Sequence, residues 1–219
     1  MHRLASLALL WAATAAHAAV GVVESPATAD GHAVTVAYPT AASPQPQARG
    51  PFTLHFAPRA TPTRGNGRLV VLSHGSGGSV WPQFDLAQAL VAAGFTVAMP
   101  QHAGDNFQDT RDVGPVSWAR RPQEVSQAMD TVAALSKAGG PLAPLRLDLQ
   151  RVGAYGMSAG GLAALTLAGA RWSPALLARH CEAHIAEDFA ACVGLSTELT
   201  GGALDGTGAA SSEAGSVAS

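Results

Sequence analysis

Arg151-Val152-Gly153-Ala154-Tyr155, then Gly156-Met157-Ser158-Ala159-Gly160, then Gly161-Leu162-Ala163-Ala164-Leu165: the reading of this stretch decides the fold. A short strand-like run ends in a turn that carries one serine, and a small-residue run fit for a helix follows. A serine held clear of a sheet on so sharp a bend needs small residues two before and two after it. Larger side chains there would strike the neighbouring strand and helix. Gly156 and Gly160 meet that demand. The chemistry such a bend serves is attack on an acyl carbon, with Ser158 as the nucleophile.

A second motif lies upstream. Arg68-Leu69-Val70-Val71-Leu72-Ser73 is a nearly continuous apolar run, expected of a strand covered on both faces in a parallel sheet. It ends in His74-Gly75-Ser76-Gly77-Gly78. An acyl-transfer serine needs backbone N–H donors for the oxyanion, each contributing about 3–4 kcal/mol. One is expected from Ala159, at the start of the helix after Ser158, where N–H groups have no intrahelical partner. The other is expected from Gly75 and Ser76. A plain glycine turn is the alternative reading of this cluster. Phosphate binding has little support: Val80 stands where G-x-G-x-x-G needs its third glycine, and no G-x-x-x-x-G-K-[ST] occurs.

Around these motifs the chain alternates strand-like and helix-like segments. Gly31–Tyr38 and Phe52–Ala57 alternate apolar and polar residues, with a Pro-rich linker over Pro39–Pro51 between them. Asp85–Ala93 has helical spacing, and Phe95–Pro100 reads as a strand. A polar loop is expected over Gln101–Pro122, a helix over Glu124–Lys137 and a strand over Leu147–Ala154, with another strand over Phe189–Leu195. Strands alternating with helices predict an α/β fold with a mostly parallel sheet and helices on both faces.

The 219 residues suffice for one α/β domain, and a net charge of −2 with scattered Lys and Arg gives no surface for nucleic acid. Residues 1–18 read as a secretory signal peptide: Met1-His2-Arg3, an apolar run from Leu4 to Ala16, and Ala16-His17-Ala18 as cleavage site. The run is too short to span a bilayer, so no transmembrane anchor is expected, and the mature protein is placed in the periplasm or outside the cell. Export permits a disulfide between Cys181 and Cys192, the only two cysteines, worth about 2–3 kcal/mol for so short a loop. His180 and His184 are spaced i, i+4 near Glu182, Glu187 and Asp188, but the pattern is not H-E-x-x-H. No metal and no other cofactor is expected. Gly194-Leu195-Ser196-Thr197 lacks a closing glycine, so Ser196 is no rival to Ser158. Trp81 and Trp118 are candidates to line an acyl pocket, with plain packing as the alternative reading. From Gly201 to Ser219, fifteen of nineteen residues are Gly, Ala, Ser or Thr, a composition that cannot bury enough surface to order itself.

Taken together, Leu72–Gly78, Gln101-His102-Ala103-Gly104-Asp105-Asn106, Arg120-Arg121-Pro122-Gln123-Glu124-Val125 and Gly156–Gly161 resemble the α/β-hydrolase superfamily. More narrowly they are similar to the exported bacterial proteins called predicted dienelactone hydrolases, akin to platelet-activating-factor acetylhydrolases. The resemblance runs from about Gly31 to about Asp205. It implies a serine carboxylic-ester hydrolase that works without metal on a small ester or lipid-like substrate. The domain is then expected over residues 19–200, with 201–219 as a low-complexity tail. In that superfamily the triad acid and base follow the serine, in the order Ser, Asp or Glu, His. Here 61 residues follow Ser158, the last histidine is His184, and Asp188 and Asp205 come after it. His74 precedes the serine, so it is expected to shape its turn rather than act as base. The chain therefore reads as a truncated or frame-shifted hydrolase lacking its C-terminal strands and, with them, the base and the orienting acid, a loss expected to cost several orders of magnitude in rate or to leave this form inactive. An exported binding protein that retains the cleft without catalysis is the alternative.

Overall fold

A computed structural model describes residues 19–27 and 32–192. The expected signal peptide and the low-complexity tail lie outside the described residues. Seven strands pair into one sheet: β1 Ala19–Ser25, β2 Val34–Thr40, β3 Gln45–Arg49, β4 Phe52–Pro58, β5 Arg68–Ser73, β6 Thr96–Pro100 and β7 Asp148–Gly156. Their spatial order is β3-β4-β1-β2-β6-β5-β7. The half that carries the two sequence motifs, β6-β5-β7, is parallel, while β2 runs antiparallel to both β1 and β6. The helices are α1 Phe84–Ala92, α2 Pro115–Leu135, α3 Ala159–Leu167, α4 Pro174–His184 and α5 Phe189–Cys192.

The apolar runs of β5 and β6 do not alternate because both faces of the sheet are covered. Leu72, Val97 and Met99 bury against Phe84, Ala87 and Val91 of α1 on one face. Leu69, Val71 and Ala98 bury against Val125, Ala128 and Val132 of α2 on the other. Each fully buried Val, Leu, Met or Phe side chain among them contributes about 1.5–3 kcal/mol relative to exposure. The α/β class is thus set by two apolar clusters with the sheet between them. At the far end, β7 closes the described sheet, and Tyr155 on it is 46% exposed.

Several boundaries differ from the sequence reading, each for a local reason. The Pro-rich linker contains β3, which pairs antiparallel with β4 from Gln45↔Phe56 to Arg49↔Phe52. Pro46 is tolerated there because β3 is an edge strand, where a missing N–H breaks no ladder. Ala19–Ser25, read only as the start of the mature chain, is a full strand paired to β2. Helix α2 begins at Pro115, inside the expected loop, with proline in its first turn and a second proline, Pro122, within it. Ser117 and Arg121, both fully buried in that helix, bond to Asp105, and this anchorage overrides the weak local propensity.

Of the strand expected over Phe189–Leu195, the described part, Phe189–Cys192, is helical, and the rest lies outside the described residues. The helix is fixed by the Cys192 N–H donating to the Asp188 carbonyl and by a disulfide from Cys192 to Cys181 of α4 (Cα–Cα 5.1 Å). Trp118, Leu177 and Ile185 pack on the bridge. Among the described residues no helix is long and apolar enough to cross a membrane.

Candidate active site

Ser158 follows the C-terminal end of β7 and caps the N-terminus of α3, with φ 53° and ψ −121°. A non-glycine residue in that region carries about 1–3 kcal/mol of backbone strain, which persists only where the surroundings over-determine it. They do so here. A Cβ on Gly156 would run into the Gly160 carbonyl, and a Cβ on Gly160 would run into the Ser73 carbonyl. The Met157 N–H donates to that same Ser73 carbonyl at 3.2 Å, tying the bend to the end of β5. The steric argument for small residues two before and two after the serine is therefore met by contacts on both sides, and the Ser158 side is left exposed.

The glycine turn lies against this bend. A Cβ on Gly75 would sit 3.5 Å from the Ser158 Cβ and 3.4 Å from the Met157 Cε, ordinary van der Waals distances, so the turn packs directly against the bend. The turn closes through a 3.1 Å bond from the Gly78 N–H to the Gly75 carbonyl, with Gly77 at φ +63°. Ala159 is buried at the first position of α3, beside the serine. Ser158, Gly75, Ser76 and Ala159 are thus brought to one place at the carboxyl end of the parallel strands.

Behind the turn lies a buried polar network that sequence reasoning did not assign. The Glu124 carboxylate accepts from His102 Nδ1 at 2.6 Å, and His102 Nε2 meets the Ser73 Oγ at 2.7 Å. Burial lowers the His102 pKa despite the Glu124 bond and charge, so the ring is neutral and the Ser73 hydroxyl donates to it. This Ser–His–Glu chain resembles a catalytic triad but faces α2 in the interior: Ser73 is 2% exposed and His102 is fully buried. His74 packs on His102 with ring centroids 4.8 Å apart. Its Nδ1–H donates to the Gly75 carbonyl at 2.7 Å, and its Nε2 accepts the His102 backbone N–H at 3.2 Å. Burial first, and then the neighbouring His102, lower the His74 pKa to about 4. With both ring nitrogens engaged, His74 shapes the turn and has no nitrogen left to serve Ser158. Among the described residues no histidine hydrogen-bonds to Ser158.

Two charges complete the network. Asp105 and Arg121 pair at 2.8 Å, both side chains fully buried. Asp105 also accepts from the Gly77 N–H at 2.7 Å and the Ser117 hydroxyl at 2.6 Å. Burial pushes its carboxyl up, but the bonds from Ser117, Gly77 and Arg121 outweigh that and hold it below the usual carboxylate range. Arg121 donates from Nη1 to the His74 carbonyl, from Nη2 to the Gly75 carbonyl at 3.3 Å, and from Nε to the Ser117 Oγ at 3.3 Å. The signal for this residue was present: Arg121, Val125, Ala128 and Val132 share one stripe of α2, so an arginine sits on the apolar face.

The remaining candidates separate. Trp118 flanks the turn, donating from Nε1 to the Ser76 Oγ at 3.1 Å and meeting Trp172 edge-on. Trp81 instead packs with Phe56 and Phe84 in the core on the α1 side. His180 pairs with Asp188 at 3.1 Å and stacks on His184. Cys192, whose sulfur lies near both His180 and Asp188, is held in the disulfide with Cys181 and offers no thiolate to a cation.

The strand order β1-β2-β6-β5-β7, a serine on the bend between β7 and α3, and a glycine turn after β5 define the α/β-hydrolase fold. No protein-family model matches the chain, and no curated protein matches it. Among solved structures it is similar to a ferulic acid esterase from Streptomyces cinnamoneus, with a TM-score of 0.47 and 26% identity, over 63% of this chain and 47% of that one. The chain thus spans about half the length of that enzyme.

Proposed function

We propose that this protein is an exported serine hydrolase of carboxylic esters that works through an acyl-enzyme on Ser158. The observation that carries this reading is the strained Ser158 bend packed against the Gly75 turn, where a Cβ placed on Gly75 would lie 3.5 Å from that of Ser158. The Ser158 Oγ forms a bond to the ester carbon and gives its proton to solvent water, which returns a proton to the alkoxide oxygen as it leaves. The carbonyl oxygen becomes an oxyanion and accepts from the N–H groups of Ala159 and of Gly75 or Ser76. Collapse expels the alcohol, and water then cleaves the acyl-serine. The disulfide supports folding in an oxidising compartment such as the periplasm. The four sequence landmarks support a dienelactone hydrolase or acetylhydrolase type of substrate, a small or lipid-like ester.

A fluorophosphonate probe tests the reading directly. Ser158 is expected to label in the folded protein, with p-nitrophenyl acetate turnover that disappears, together with labelling, in Ser158→Ala. Folded protein that neither labels nor turns over the ester would leave the non-catalytic binding protein as the reading.

A further inference from the structure

We propose that Arg121, held by Asp105, is a positioning residue that aims the backbone N–H groups of Gly75 and Ser76 at the space above Ser158. The inference rests on the serine-hydrolase reading for its catalytic consequence and on peptide geometry for its structural one. A trans peptide unit is planar, and its N–H points opposite to its carbonyl. The His74 carbonyl is bonded to Arg121 Nη1, so the Gly75 N–H of that same peptide points away from Arg121. The Gly75 carbonyl accepts three donors: the buried Arg121 Nη2 at 3.3 Å, the buried His74 Nδ1 at 2.7 Å and, across the turn, the Gly78 N–H at 3.1 Å. The Ser76 N–H therefore also points away from the interior. One guanidinium thus anchors two successive carbonyls and turns two successive N–H groups outward, next to the serine.

The residue type follows from the task. A planar fork with fixed donor directions can hold two carbonyls, a carboxylate and a hydroxyl at once, whereas an ammonium is a point charge with no such fork. Asp105 fixes the other side: it holds the Gly77 N–H at 2.7 Å while pairing with the guanidinium, so the turn is gripped at both ends. Every donor nitrogen of Arg121 is engaged, and the residue is fully buried, so no substrate reaches it. Its role is exerted through the turn.

Arg121→Lys tests this, with Asp105→Asn as a second variant that keeps side-chain shape and the buried acceptor. Both are measured as kcat and KM for p-nitrophenyl acetate per fluorophosphonate-titrated serine, as Ki for a trifluoromethyl ketone that adds to the serine, and as crystal structures. In Arg121→Lys the Gly75–Ser76 peptide is expected to rotate. There kcat per titrated site should fall about 100- to 1,000-fold, as for loss of an oxyanion donor. KM is expected to stay within about 3-fold, while the ketone Ki rises in parallel with the loss of kcat/KM. A merely structural role would lower the titrated fraction and leave kcat per site and Ki unchanged. A folded variant with an unmoved peptide and unchanged kcat per site overturns the proposal. If the parent protein itself never labels, the hydrolase reading fails, and the rotation or fixity of the peptide in the two variant structures still decides what Arg121 does.

Discussion

Asp105→Ala is expected to lower stability by about 3–5 kcal/mol, because it strands a buried guanidinium without its counter-charge. The pair is at 2.8 Å with no exposure on either side chain, so solvent cannot replace the lost carboxylate without opening the interior. The Gly77 N–H and the Ser117 hydroxyl lose their acceptor at the same time. A domain of this size has about 5–15 kcal/mol in total, so the variant keeps little margin at physiological temperature. The melting temperature should fall by on the order of 10 °C, at about 2–4 °C per kcal/mol. Urea unfolding of Asp105→Ala, Arg121→Met and the double variant measures the coupling. Single-variant losses that simply add in the double variant would show that the two side chains do not act as a pair.

Acidification is the second large effect. An unfolded histidine titrates near pH 6.5, whereas His74 in the fold titrates at about 4. Between those values the unfolded chain binds a proton that the folded chain refuses, so stability is complete above about pH 6.5 and is lost as pH falls towards about 4. The loss from His74 alone is roughly 3 kcal/mol across that window. His102, lowered chiefly by burial, acts in the same direction. The charged and titratable groups near His74 are His102, Arg121 and Asp105. Asp105 and Glu124, both held below their ordinary values, keep their contribution until the pH falls further, through the carboxylate range. Urea titrations from pH 7.5 to 4.5 should therefore show a steep decline. In His74→Asn, which retains a donor towards the Gly75 carbonyl but cannot titrate, the slope should flatten. An equal slope in the two proteins would mean that His74 is not the proton-sensitive group.

What was legible in the sequence was what sterics alone dictates. Gly156 and Gly160 are fixed by backbone contacts that no other residue allows, so a strand, a bend and a helix follow from local text. The runs at Arg68–Ser73 and Thr96–Pro100 were legible because a strand covered on both faces has nothing to alternate. The polar half of the site was not legible in the same way. Glu124, His102 and Asp105 look solvent-bound in sequence, Arg121 joins the apolar stripe only once α2 extends back through Pro122, and their meeting across α2 and the loop after β6 makes them internal. The start of α2 was hidden for the same reason, since its first turns are held by Asp105 rather than by propensity. The stretch at Phe189 has the composition of a strand, and a covalent tie to α4 makes it a helix.

Position 158 pulls thermodynamics and chemistry in opposite directions. Its backbone sits at φ 53°, ψ −121°, a conformation glycine enters at far less cost. Folding alone would therefore choose glycine there, and selection for heat tolerance with no demand for reactivity would be expected to erase the hydroxyl first.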